Sequence, residues 1–441
     1  MQPTLTTLPT EPQNPGLRDR PTKLFVETTS RCNFSCAMCV KQSPGILAAE
    51  GDISAATFAA LLPAMGSLEA LVLNGLGEPL LHPQLENFIS QARRQMPPTG
   101  WIGFQSNGLL LDAPRARALA AAGLDRVCLS VDASSPETFR SLREGGELQA
   151  LEAAFSALRQ AKLKRPGLQF GIEFVVMRQN LDQLCDTLRW AAREGARFAL
   201  VSHLLPYAEN SRSDVAYPDS TEVALQFFDR WRQKGQDTGI DLGRYYHLAW
   251  KYSRTEEEEQ VINLVAAMRR EAEQLGIFFN LKKLLLIDRA WLDRVETTFA
   301  EAEQVAADLG LDLRLPGVIP KAQRRCDFVE DGSAFINWDG QVHPCYFLWH
   351  SCSCHASGWE QQVQARSFGL VGEQTLLQIW NSPEFSAFRR SVLSYDYPFC
   401  YACTLAPCDY IQTEQFEQDC HVNGEPCGSC LWCMGLFQCL R

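Results

Sequence analysis

The sequence predicts an α/β fold: a parallel, helix-linked sheet curling into a partial barrel, followed by a helical insertion and a small cysteine-rich domain. Three observations predict it. Six short β-type runs in the first half of the chain are separated by helical patterns with legible ends. Residues 207–319 turn helical and charge-rich. Of the 17 cysteines, twelve lie at or after Cys326.

The first half reads strand by strand as Leu24–Thr28, Ala70–Leu73, Trp101–Gln105, Arg126–Val131, Leu168–Val176 and Arg197–Val201. Ser54 caps a helix over Ala55–Leu62, Asp112 with Pro114 starts one that stops at Gly123, and Ser135 with Pro136 starts another. Right-handed crossovers put the C-terminal ends of parallel strands on one face, where functional residues collect. In the helical stretch, EAEQLGIFFNL and AADLGLDLRL each predict a helix ending at glycine (Gly276, Gly310) and then a short strand. The run Thr255–Gln260 reads as a solvated helix start, because Glu complements the N-terminal dipole.

With 441 residues, 46% hydrophobic and 21% charged, the composition excludes a disordered or collagen-like chain. No apolar run approaches a membrane span, and residues 1–22 have no signal-peptide core, which predicts a cytoplasmic protein without a membrane partner. A net charge of −11 argues against nucleic acid. In a reducing compartment so many thiols are metal ligands or core filler rather than disulfides. Cys128, alternating with Val127 and Leu129, and Cys185, on an apolar helix face, read as core filler. His203 reads as a hydrogen-bonded structural histidine near the mouth of the barrel.

Cys32, Cys36 and Cys39 stand in RCNFSCAMC, directly after the first strand, with CxxxCxxC spacing. Three thiolates can hold three corners of a [4Fe–4S] cubane and leave one iron open, whereas structural zinc asks for four ligands. This motif resembles the radical S-adenosylmethionine (SAM) superfamily, and the resemblance runs from Lys23 to Pro206. Gly77, Glu78 and Pro79 in GLGEP match the family's GGE-like element, which holds the methionine amino group. Ser106-Asn107-Gly108 is similar to its TNG. Ser130-Val131-Asp132 is similar to its SxD element near ribose and methionine, and Arg143 falls where relatives hold the SAM carboxylate. Met38 departs from the usual aromatic residue, although a thioether also packs on an adenine face.

At the other end Cys326 and Cys345 frame a Trp338-Asp339-Gly340 turn that reads as a β-hairpin. Cys352, Cys354, Cys400, Cys403, Cys408, Cys420, Cys427, Cys430, Cys433 and Cys439 follow. Close cysteine pairs are metal-site spacing, and zinc competes with iron–sulfur for them. The opening Cys326, Gly340 and Cys345, with Cys400, Cys403 and Cys408, resembles the SPASM domain, which carries two auxiliary [4Fe–4S] clusters. The resemblance implies a ligand set drawn from Cys326, Cys345, Cys400, Cys403, Cys408, Cys420, Cys427, Cys430 and Cys439, and gives no role to Cys352, Cys354 or Cys433. The ending DCHVNGEPCGSCLWCMGLFQC resembles the SPASM subgroup associated with maturases of tungsten-containing aldehyde oxidoreductases.

The resemblance divides the chain into a tail (1–22), a radical SAM core (23–206), a helical insertion (207–320) and a SPASM-like domain (321–441). It implies reductive cleavage of SAM to a 5′-deoxyadenosyl radical that abstracts hydrogen from a peptide or protein, with electrons from a flavodoxin- or ferredoxin-type donor. Two alternatives stand beside it. One is dehydrogenation, epimerisation or decarboxylation of a sugar or nucleoside; the other is a non-catalytic iron–sulfur scaffold or electron carrier.

Overall fold

The computed structural model describes residues 14–43, 46, 49–356, 359–395 and 430–440. The first half builds alternating strands and helices: β1 (Lys23–Val26), α1 (Ala55–Leu61), β2 (Ala70–Val72), α2 (Leu85–Gln95), β3 (Trp101–Ser106), α3 (Ala113–Ala122) and β4 (Arg126–Ser130). It continues with α4 (Pro136–Leu142), α5 (Leu148–Lys164), β5 (Gln169–Val176), α6 (Leu184–Arg193) and β6 (Phe198–His203). The caps act as the sequence predicts. Ser54 accepts from the Thr57 amide, Asp112 from Arg115 and Ser135 from Thr138. Gly123 ends α3 at φ 111°, a left-handed conformation that a side chain would strain.

The six strands pair in parallel in sequence order, and the sheet extends at both edges. The near-continuous apolar runs of β2 and β4 suit a sheet covered on both faces. Beyond β6 the chain forms α7 (Glu222–Asp237), α8 (Tyr245–Ala249), α9 (Glu256–Leu275), α10 (Leu281–Leu285), α11 (Arg289–Leu309) and β7 (Asp312–Arg314). Gly276 and Gly310 end α9 and α11 in the left-handed region as expected. The strand expected after Gly276 is not formed; Asn280 instead caps α10 by accepting from the Lys283 amide. The apolar positions Leu281 and Leu284 recur at helical spacing and bury with Phe228, Trp231 and Met268 in a core of their own. The strand after Gly310 does form, and it pairs with β6.

The Trp338-Asp339-Gly340 turn joins β8 (Ser333–Ile336) to β9 (Val342–His343) as an antiparallel hairpin, and β8 pairs in parallel with β1. The cysteine-rich end is thereby stitched into the main sheet. A second antiparallel ribbon, β10 (Cys352–Ala356) with β11 (Trp359–Val363), stands apart from it. No helix among the described residues is long and apolar enough to cross a membrane.

Candidate active site

Backbone and side-chain contacts pin the cysteine loop after β1 to the segments around Glu78, Asn107 and Arg143. Glu78 donates its amide to Arg31 O at 2.8 Å. A Cβ at Gly77 would lie 2.3 Å from Arg31 O and 2.4 Å from Thr29 O, so only glycine allows that approach. Asn107 Nδ2 donates to Asn33 Oδ1 at 2.8 Å, between Cys32 and Cys36. The Ala37 amide donates to Leu142 O at 3.2 Å and the Ser35 amide to Glu144 O at 3.1 Å, on either side of Arg143. The motifs at the ends of β2 and β3 therefore converge on one loop with the segment around Arg143, which Asp132 at the end of β4 holds.

Glu78 is buried, and its carboxylate accepts from the Asn107 amide, the Ser106 hydroxyl and the Leu80 amide at 2.8, 2.8 and 3.1 Å. Burial pushes its carboxyl upward, and those donors offset part of that. Pro79 opens the short turn after it. Asp132 is fully buried; it accepts from Val175 N at 2.8 Å and from Arg143 Nε at 2.6 Å. Burial opposes the Arg143 charge, yet Asp132 and Cys36 outweigh it and raise its pKa further. Arg143 Nη1 lies 3.8 Å from Cys36 Sγ. Met38 packs against the cluster of Leu142, Met177 and Leu204. Ser130, half-buried, pairs in register with Glu173.

Burial raises all three loop thiols, Cys36 to about 11; Cys36 also feels the charge of Cys39 and Cys32, and Cys39 that of Cys32. Bare thiolates are therefore disfavoured here, and a cationic iron centre is what would make them favourable. The donor set fits a three-thiolate cluster with SAM at its open iron. Among the described residues no three side chains converge tightly enough to hold a single ion; a cubane, with iron at four corners, spreads its thiolates wider.

A second thiol group forms under the hairpin. Cys430 Sγ lies 3.6 Å from Cys433 Sγ; Cys433 also hydrogen-bonds Cys326, and Cys345 feels both Cys326 and Cys430. Burial pushes Cys345 up, whereas the hydrogen bond with Cys433 lowers Cys430. Sequence reasoning left Cys433 without a role; its CxxC spacing from Cys430 was the available signal. Cys439 lies near Tyr346, the residue after Cys345. Cys352 and Cys354 sit near Tyr207 and Cys39, on the side of the front loop. Cys400, Cys403, Cys408, Cys420 and Cys427 lie outside the described residues.

Three other residues have the roles that folding gives them. Cys128 is buried in β4 and Cys185 on α6. His203 is buried, with Nε2 2.9 Å from Gly317 O. Glu27, which sequence reasoning read only as part of a strand, accepts from the Leu76 amide at 2.8 Å and the Trp338 amide at 3.2 Å. It thus ties the GLGEP loop to the hairpin.

The chain is similar to known proteins along most of its length. The family described as the radical SAM superfamily matches residues 26–191, and SPASM, an iron–sulfur cluster-binding domain, matches residues 326–404. The tungsten-containing aldehyde ferredoxin oxidoreductase cofactor-modifying protein of Pyrococcus furiosus is 27% identical over 425 residues, 94% of this chain and 96% of that relative. A GTP 3′,8-cyclase of Synechococcus is 41% identical over 125 residues, 26% of this chain and 34% of the relative. The crystal structure of Streptococcus suis SuiB bound to S-adenosylmethionine covers 90% of this chain and 75% of its own, at 13% identity and a TM-score of 0.49.

Proposed function

We propose that this chain, a radical SAM enzyme carrying a SPASM iron–sulfur domain, is a maturase that modifies a peptide or protein, and that its target is a metal-cofactor oxidoreductase. One observation carries the reading. The similarity to a cofactor-modifying protein spans nearly all of both chains, so it takes in the helical segment and the cysteine-rich end as well as the barrel.

When bound, SAM and the front cluster supply reductive carbon–sulfur cleavage and hydrogen abstraction. The chain supplies binding and position. Cys32, Cys36 and Cys39 hold the cluster, and Gly77, Glu78, Pro79 and Asn107 fix its loop and the amino end of SAM. Arg143, oriented by Asp132, takes the carboxylate; Ser130 faces the ribose and Met38 the adenine. Cys326, Cys345, Cys430 and Cys433 hold one auxiliary cluster, and the second draws on Cys400, Cys403, Cys408, Cys420 and Cys427. Electrons come from a low-potential flavodoxin or ferredoxin in the cytoplasm.

The helical segment supports a protein target. It has its own core and exposes Tyr246, Trp250, Tyr252 and Phe278, and exposed aromatic residues are common anchors at interfaces. A second reading, radical chemistry on a nucleoside or sugar, is favoured by the cyclase similarity, which is confined to 26% of the chain. Incubating reconstituted enzyme with SAM, reductant and native-host proteins tests the first reading. A SAM-dependent mass change in one protein, lost with Trp250→Ala/Tyr252→Ala, is expected. Turnover of a purified nucleoside or sugar with no modified protein would sink it.

A further inference from the structure

Below the strand ends, the concave face of the sheet carries a polar group that the motifs leave out. A Cβ added at Gly108 would meet Leu129, Leu151 and Ala154 together, so Leu129 of β4 faces α5. Alternation then turns Cys128 and Ser130 to the opposite, concave face. Register carries that face to Gln105 of β3, which pairs with Cys128, and to Glu173 of β5, which pairs with Ser130. Gln105 Nε2 donates to Glu173 Oε2 at 2.5 Å, spanning the intervening strand. Gln105 Oε1 accepts from Asn74 Nδ2 at 3.2 Å, and the same amide group donates to Tyr346 Oη at 2.6 Å.

Glu173 is thus held on one oxygen; among the described residues no donor reaches its Oε1. The ionisable groups around it are Arg143 and Asp132 above, the Cys128 thiol from β4 and the Tyr346 phenol from beyond β9; its β6 neighbour is Leu200. Arg143 is already bound to Asp132, which leaves the Glu173 carboxylate without a cation of its own. It is half-buried, and burial raises its carboxyl to about 7 despite the opposing charge of Arg143.

We propose that Glu173 is a further SAM-positioning residue, its carboxylate facing the part of the cofactor that carries the sulfonium charge and the ribose hydroxyls. The inference rests on the strand ends being the SAM site. A low-dielectric lumen strengthens the attraction between a carboxylate and a fixed cation, and the free oxygen accepts from a hydroxyl. The attraction to the sulfonium needs the ionised form, and the hydrogen bond is stronger with it. The contribution to binding is therefore weak at acidic pH and grows as pH rises through about 7.

SAM titration of the reconstituted protein, followed by equilibrium dialysis or the electron paramagnetic resonance of the front cluster, tests this from about pH 6 to about pH 8.5. The amino group of SAM titrates near 7.7–8.0 in every sample, so the quantity to read is the ratio of Kd for Glu173→Gln to that of wild type. The expected ratio is close to one at the acidic end and about tenfold at the alkaline end, the worth of one charged interaction. A ratio of one throughout overturns the proposal and points to a lumen residue that meets substrate instead. A constant ratio above one also overturns it, because a structural role has no pH dependence. Gln105→Leu removes the donor from Oε2 and should move the transition to higher pH; an unmoved transition counts against the proposal. If neither protein binds SAM at any pH, the SAM site itself has been misassigned.

Discussion

Ser43 and Ser353 hold each other through two buried hydrogen bonds: the Ser43 hydroxyl donates to Ser353 O at 2.8 Å and accepts from Ser353 N at 3.0 Å. Ser43 closes the turn that follows Cys39, and Ser353 lies between Cys352 and Cys354 in β10. The front loop is therefore clamped to the ribbon of the cysteine-rich region.

Ser43→Ala leaves both backbone groups of Ser353 unpaired, at about 1–3 kcal/mol each. Hydrogen exchange should quicken in residues 39–43 and 352–356 and stay unchanged in β3–β5. Unchanged protection of the Ser353 amide would show that the clamp does not form in solution.

Arg143 and Asp132 should separate stability from binding. Arg143→Ala strands a fully buried carboxylate, a loss of about 3–5 kcal/mol, and should weaken SAM about ten- to a hundredfold. Arg143→Met with Asp132→Asn should recover most of the stability and none of the affinity. Glu78→Ala should weaken SAM similarly, with the added release of the Asn107 amide. Denaturation and SAM titration read the two effects apart; full affinity in the double variant would remove Arg143 from the SAM site.

The barrel was legible because its signals are local. Ser54, Asp112 and Ser135 cap, Gly123 stops, and apolar runs mark the strands. The front loop was legible because its three thiols lie within eight residues. What escaped is set by distance along the chain. Cys433 meets Cys326 across more than a hundred residues, and Gln105 meets Glu173 across a strand; no periodicity encodes either. The strand expected after Gly276 failed for another reason. IFFN has β character, but Asn280 could cap, and helical spacing of the leucines that follow won.

Two buried histidines set an acid limit. His203 and His343 are each held near 4 by burial, below the ordinary 6.5, and each leaves one ring nitrogen unpartnered. The unfolded chain then binds more protons than the folded one between those values. Stability is full above about 6.5 and falls as pH drops toward 4, by up to about 3 kcal/mol per histidine. His203→Gln keeps a donor for Gly317 O and should flatten the loss of the thermal midpoint relative to wild type. Parallel pH profiles for the two proteins would count against it.

Cys433 is the sharpest test of the cysteine-rich end. It touches Cys430 and Cys326, and Cys345 completes the group, whereas Cys352 and Cys354 stand by the front loop. One three-thiolate and two four-thiolate sites hold about twelve irons. Cys433→Ala should lower that to about eight and leave the front-cluster resonance and SAM binding intact. Cys36→Ala should do the reverse, abolishing 5′-deoxyadenosine formation while about eight irons remain at the other end. Cys352→Ala should lose none. A full iron complement in Cys433→Ala would mean that another thiol, such as Cys439, supplies the fourth ligand. About four irons with two zincs in the wild type would replace the auxiliary clusters with structural zinc.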